Sequence, residues 1–166
     1  YVHLPSLQDY PGVEVVAICD RNAEQLNNAG DAFHIHKRYS DAQEMLDSEQ
    51  LDGVIIATTH ATHYALAKAV LERKIPLFLE KPMTLYAKEA RELQKLAEDN
   101  HTPLVLGYPW QMIPEYQYLR DLIGQGEIGQ IQLVSILFSS MVLEYYRANP
   151  EAYQSVFQWK LTGPQT

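Results

Sequence analysis

Short runs of β-branched and apolar residues that lack a polar face, each separated from the next by a stretch of helical periodicity, constrain the fold of this chain more than any other feature. Residues 13–18 (VEVVAI) follow the breaker pair Pro11-Gly12 and read as a buried strand ending at Cys19-Asp20. Residues 53–57 (GVIIA), 75–79 and 104–106 repeat the pattern. Between these runs, Asn22 with Gln25 three residues on has capping-box spacing and opens a helix over 23–29 that Gly30 can end; Ser40 with Gln43 repeats it before Ala42, Met45 and Leu46. Ala65, Leu66, Ala69 and Val70 stripe a helix over 62–73, and Ala87, Ala90, Leu93 and Ala97 stripe another over 86–100. Strands buried on both faces belong in a parallel sheet covered by helices on both sides, so the expected class is α/β with a doubly wound sheet.

After Gly107 the character changes. Pro114 opens a helix through Ile123, glycines at 124, 126 and 129 make a turn, and residues 131–138 form a longer apolar run that reads as the first strand of another sheet. The expected organisation is a first domain over 1–125 and the start of a second over 126–166. A chain of 166 residues holds about one domain. One strand closes no core, and there is no initiator Met, so the chain is expected to be cut at both ends.

The charge balance excludes some partners. Thirteen Lys and Arg against 21 Asp and Glu leave a net charge of −8, with no basic footprint for phosphate backbones or anionic membranes. No apolar run approaches the roughly 18 residues of a membrane span. The expectation is therefore no nucleic acid and no membrane partner. The lone Cys19 forms no internal disulfide, which fits a reducing, cytoplasmic setting.

Asp20 sits at the carboxyl end of a parallel strand, where a carboxylate accepts hydrogen bonds from the adenosine ribose of a dinucleotide; Asp at such ends also simply turns the chain or caps a helix. In a Rossmann-like sheet the glycine loop lies about 20 residues before this acid, at or before residue 1 here, and no G-x-G-x-x-G occurs in the chain. The first strand and the loop are thus expected to be missing, with Tyr1 to Gln8 as the remainder of the first helix. Arg21 would stack on adenine or offset a 2′-phosphate, or stand as a solvated charge. Residues 77–79 run directly into Glu80-Lys81-Pro82, which places two ionisable side chains at a carboxyl strand end, where doubly wound folds bind ligands. Pro82 holds Lys81 to extended backbone angles and is a candidate cis proline.

In the order of these motifs the chain resembles the glucose-fructose oxidoreductase and inositol dehydrogenase group, the Gfo/Idh/MocA oxidoreductases. The resemblance rests on the acid after residues 17–19, the segment 54–63, Glu80-Lys81-Pro82, Gly107-Tyr108, and Gly126-Glu127-Ile128-Gly129 before a long strand, and it covers the chain to about residue 140. It implies an NAD(P)-dependent dehydrogenase acting on a sugar, polyol or related secondary alcohol. Lys81 would bond the reacting hydroxyl and assist proton transfer, and Glu80 would contact the nicotinamide ribose. Thr58, Thr59, His60 and His63 would lie along the cofactor, although the family commonly has Thr-Pro-Asn where this chain has Thr58-Thr59-His60. After Gly107-Tyr108 the family often has Asn and Arg, whereas this chain has Pro109-Trp110-Gln111. The charge of Asp20 favours NAD, with NADP as the alternative that Arg21 leaves open. A homo-oligomer at full length is also implied.

Two further readings compete. His34-x-His36 and His60-x-x-His63 offer imidazoles to a metal, but not at the i, i+4 spacing of a metal-hydrolase helix, so no metal is expected. A non-catalytic dinucleotide-binding or sensing protein with a degenerate site would keep the fold and tolerate loss of Lys81.

Overall fold

Among the described residues, strands alternate with helices up to Gly107. The structure, a computed structural model, describes residues 3–137. In chain order the elements are α1 (His3–Gln8), β1 (Ala17–Cys19), α2 (Ala23–Ala32), β2 (Lys37–Tyr39), α3 (Ala42–Ser48), β3 (Val54–Ile56), α4 (His60–Glu72), β4 (Leu77–Glu80), α5 (Ala87–Asp99) and β5 (Leu104–Gly107). β1 pairs with β2, and β3, β4 and β5 form a three-stranded sheet in that order; every pairing is parallel. This is the expected Rossmann-like α/β layout, in two hydrogen-bonded pieces.

Alternation along β4 divides the larger sheet into two unlike faces. Leu77 and Leu79 are sealed against Ala67, Val70 and Leu71 of α4 and Leu93 and Ala97 of α5. Each large side chain buried there contributes about 1.5–3 kcal/mol. Phe78 and Ile55 point the other way, where the His3 ring of α1 meets Phe78 edge-on at 5.4 Å. That face is thinly covered: Ile55 keeps 39% of its surface, beside a shallow groove of about 380 Å³.

Three helices stop by the same device. His34, Lys74 and His101 follow the C-caps of α2, α4 and α5 at φ of 56°, 58° and 52°. The next residue returns its N–H to the last turn: Ile35 to Gly30, Ile75 to Val70 and Thr102 to Ala97. These are Schellman-type ends with non-glycine residues in the left-handed position. They account for His34 as a helix-end residue, and it is exposed.

Several sequence expectations are corrected. Residues 13–16 are not strand, because the β1–β2 register sets Ala17 opposite Lys37, and residues 13–16 would need partners in 33–36, where α2 ends and His34 turns left-handed. Gly30 does not end α2. The helix runs to Ala32, and Gly30 is where Arg38 crosses it: a Cβ there would lie 2.0 Å from the guanidinium nitrogen that donates to the Ile35 carbonyl. The cap of α3 is Asp41 rather than Ser40, its carboxylate accepting from the Gln43 and Glu44 N–H groups, whereas Asn22 caps α2 as expected. β2 was not anticipated, since Lys37-Arg38-Tyr39 has no apolar run. Residues 131–137 form no strand, and Phe138, the end of that expected strand, lies outside the described residues.

By its contacts the chain divides into two units, the first ending at Gly107 and the second beginning at Tyr108, earlier than the expected boundary at 125/126. The second unit opens with a 3₁₀ turn (Pro109–Met112) and α6 (Pro114–Gly124). Trp110 packs edge-on against Tyr116 at 5.5 Å, and both remain exposed.

Candidate functional site

Parallel register brings the carboxyl ends of β3, β4 and β5 to one edge: Ile56 stands beside Leu79, Leu79 beside Leu106, and Glu80 beside Gly107. Glu80 is held from three sides. Its Oε1 lies 2.9 Å from His3 Nε2, its Oε2 accepts from the Lys81 N–H at 3.1 Å, and it overlies Gly107, where a Cβ would come within 3.1 Å of the carboxylate. Gly107 is thus required for close approach rather than for an unusual backbone angle. The Lys81–Pro82 bond is cis, and the Lys81 side chain is exposed at the strand end.

The β3–α4 loop lies beside this turn. The Thr62 hydroxyl donates to the Thr59 carbonyl at 2.8 Å, so the Thr58 hydroxyl, also 2.8 Å away, donates to Thr62. His63 is wholly enclosed, at 0% exposure, with Nδ1 2.8 Å from the Pro82 carbonyl and Nε2 3.2 Å from the Thr58 carbonyl. It was expected along the cofactor, but in this arrangement it presents no surface to a ligand. His60 meets the His63 ring edge-on at 5.5 Å. Burial first, then the neighbouring His63 and the Lys81 ammonium, push its pKa below the ordinary imidazole range, which favours the neutral ring.

Asp20 is exposed at the end of β1. Its Oδ1 accepts from the Asn22 N–H at 2.8 Å, an Asx turn that leaves Oδ2 facing outward. Arg21 is exposed next to it. Burial, with Asp41, Asp20 and Glu44, pushes the Cys19 thiol up, which disfavours the thiolate. Among the described residues, no three His, Cys, Asp or Glu side chains are placed to share a metal ion, and no helix is long and apolar enough to cross a membrane.

Asp20, an exposed strand-end carboxylate, has the chemistry to accept from a ribose diol; Gly107 clears the space that the Glu80 carboxylate itself occupies. Sequence reasoning named Asp20, Arg21, Thr58, Thr59, His60, His63, Glu80 and Lys81, and the structure gathers all but Asp20 and Arg21, which follow β1, around the ends of β3 and β4. His3 and the Pro82 carbonyl were missed. Nothing local signals His3, which is 77 residues from its partner; the approach of Gly107 to Glu80 follows from strand pairing alone.

The profile of the family described as oxidoreductase family, NAD-binding Rossmann fold, matches residues 1–108. The chain is 36% identical over 135 residues to the rhizopine catabolism protein MocA of Rhizobium meliloti, covering 81% of this chain and 42% of that protein. It is 35% identical over 127 residues to a D-apiose dehydrogenase of Paraburkholderia graminis, covering 76% of this chain and 34% of the relative. A crystal structure of an oxidoreductase from Agrobacterium radiobacter, in complex with NAD⁺, L-tartaric acid and magnesium, superposes with a TM-score of 0.67 at 29% identity, over 76% of this chain and 37% of that one. The chain thus spans about two fifths or less of the length of these relatives.

Proposed function

The chain belongs to the oxidoreductase family with the NAD-binding Rossmann fold, and from that premise we propose that the protein is an NAD-dependent dehydrogenase of a sugar, polyol or related secondary alcohol, with Lys81 at the reacting hydroxyl. The observation that carries this reading is an exposed lysine at a carboxyl strand end whose two neighbours are both held, Glu80 by His3 and Gly107, and Pro82 by His63.

Asp20 would take the adenosine ribose through Oδ2, and Glu80 the nicotinamide ribose. Thr58, Thr59 and His60 would border the same cofactor. NAD, when bound, supplies the hydride acceptor. Lys81 hydrogen-bonds the alcohol oxygen, steadies the negative charge that develops there and assists departure of the hydroxyl proton. The charge of Asp20 disfavours the 2′-phosphate of NADP. The D-apiose dehydrogenase relative supports a sugar as substrate class.

The test is NADH formation by the full-length protein with D-apiose and myo-inositol. Turnover with one of them, lowered about 10²- to 10⁴-fold in Lys81→Ala while NADH still binds, is the expected result. Full activity in Lys81→Ala overturns the role of the lysine. NADH binding without oxidation of any sugar or polyol points instead to a dinucleotide-sensing protein.

A further inference from the structure

We propose that His63 is the positioning residue of the Lys81 turn and acts through the Pro82 carbonyl. This rests on the reading of Lys81 as the group at the reacting hydroxyl, but the contact itself stands on geometry. An imidazole with no solvent contact must find its partners inside the protein. Those it finds are two backbone carbonyls from two different loops: Pro82, after β4, at 2.8 Å, and Thr58, after β3, at 3.2 Å. Both carbonyls can only accept, so the ring donates, and the shorter contact makes Nδ1–H to Pro82 the better-formed bond.

His63 lies in the first turn of α4, a helix whose buried side chains Ala67, Val70 and Leu71 anchor it to the core. The helix therefore serves as the fixed point, and the Pro82 carbonyl is tied to it. On the upstream side of Lys81, His3 and Gly107 set the Glu80 carboxylate, which in turn accepts from the Lys81 N–H. The Lys81 side chain is exposed, so packing fixes where it leaves the backbone, and His63 holds the downstream side of that departure point. Enclosure of the ring makes this a positioning role.

Two conservative substitutions separate the two contacts. In His63→Asn the amide nitrogen falls near the Nδ1 position and keeps the bond to Pro82; in His63→Gln it falls near Nε2 and reaches Thr58 instead. In the full-length protein, His63→Ala and His63→Gln are expected to lower kcat about 10- to 100-fold, the cost of a misplaced reacting group. KM and the Kd for NADH should stay within about threefold, because the lost interaction acts in the chemical step. His63→Asn should recover most of the rate. In a Lys81→Ala background, removal of His63 should cost nothing further, because the two residues act as one unit. Equal rescue by Asn and Gln, or an undiminished loss in the Lys81→Ala background, overturns the proposal.

The carbon-13 shift of the Pro82 carbonyl, the acceptor itself, needs no substrate. It should move in His63→Gln and stay near wild type in His63→Asn; the same shift in both variants overturns the clamp. If the wild-type protein oxidises no alcohol, the dehydrogenase reading fails alone, and the carbonyl comparison still decides the role of His63.

Discussion

Asp20 and Glu80 each stand at the carboxyl end of a parallel strand, yet they are held in different ways. Asp20 is exposed and engaged only by the backbone N–H two residues on, on a strand that pairs with a single polar neighbour. Glu80 ends a strand paired on both sides and is set by residues from α1 and β5. The first can be altered locally; the second is part of the tertiary packing. The β1–β2 piece therefore suits an adaptable contact, and the β3–β4–β5 piece suits a group that must not move.

The largest effect expected to separate the two pieces is on stability. Leu79 is fully enclosed beneath Glu80, so Leu79→Ala should cost about 2–5 kcal/mol, read from denaturant midpoints. Ile18 on β1, only partly buried, should cost less on the same change. Equal losses would mean that the core is shared evenly between the two sheets.

A smaller effect is expected at Asp20. Asp20→Asn keeps the acceptor for the Asn22 N–H and removes the charge. The ratio of NADPH to NADH affinity should rise about tenfold, within the roughly 1–4 kcal/mol that separates like charges 4 Å apart near a surface. Direct titration of both cofactors measures it, and an unchanged ratio would remove Asp20 from the ribose.

The smallest effect lies at the outer edge of β2. Glu49 accepts from Lys37 at 2.6 Å and from Tyr39 at 2.6 Å, and these bonds hold its pKa below the ordinary value of 4.5. A carboxylate lowered by folding adds stability that is fully present above 4.5 and is lost as pH falls through the lowered value. Glu49→Gln should lower Tm slightly near neutrality, leave it unchanged at low pH, and so flatten the acid limb of Tm against pH. Parallel acid limbs in the two proteins would show that the pair contributes nothing.

Features of short range were open to reading from sequence. The apolar runs at 54–56 and 77–79, the cap at Asn22, and the strand-end positions of Asp20 and Glu80-Lys81-Pro82 each depend on neighbours a few residues away. The same approach missed β2, whose polar residues reach strand geometry only because β1 offers a partner, and placed a strand at 13–16 where the facing segment is the end of a helix.

Local chemistry thus determined that a lysine would stand beside a carboxylate at the end of a buried parallel strand. Tertiary structure decided what holds them: His3 across 77 residues, Gly107 through strand register, and His63 from inside α4. Propensity and periodicity act over one or two turns of chain, whereas a buried hydrogen bond joins whatever register and packing bring within 3 Å or so, and distance along the sequence carries no trace of it.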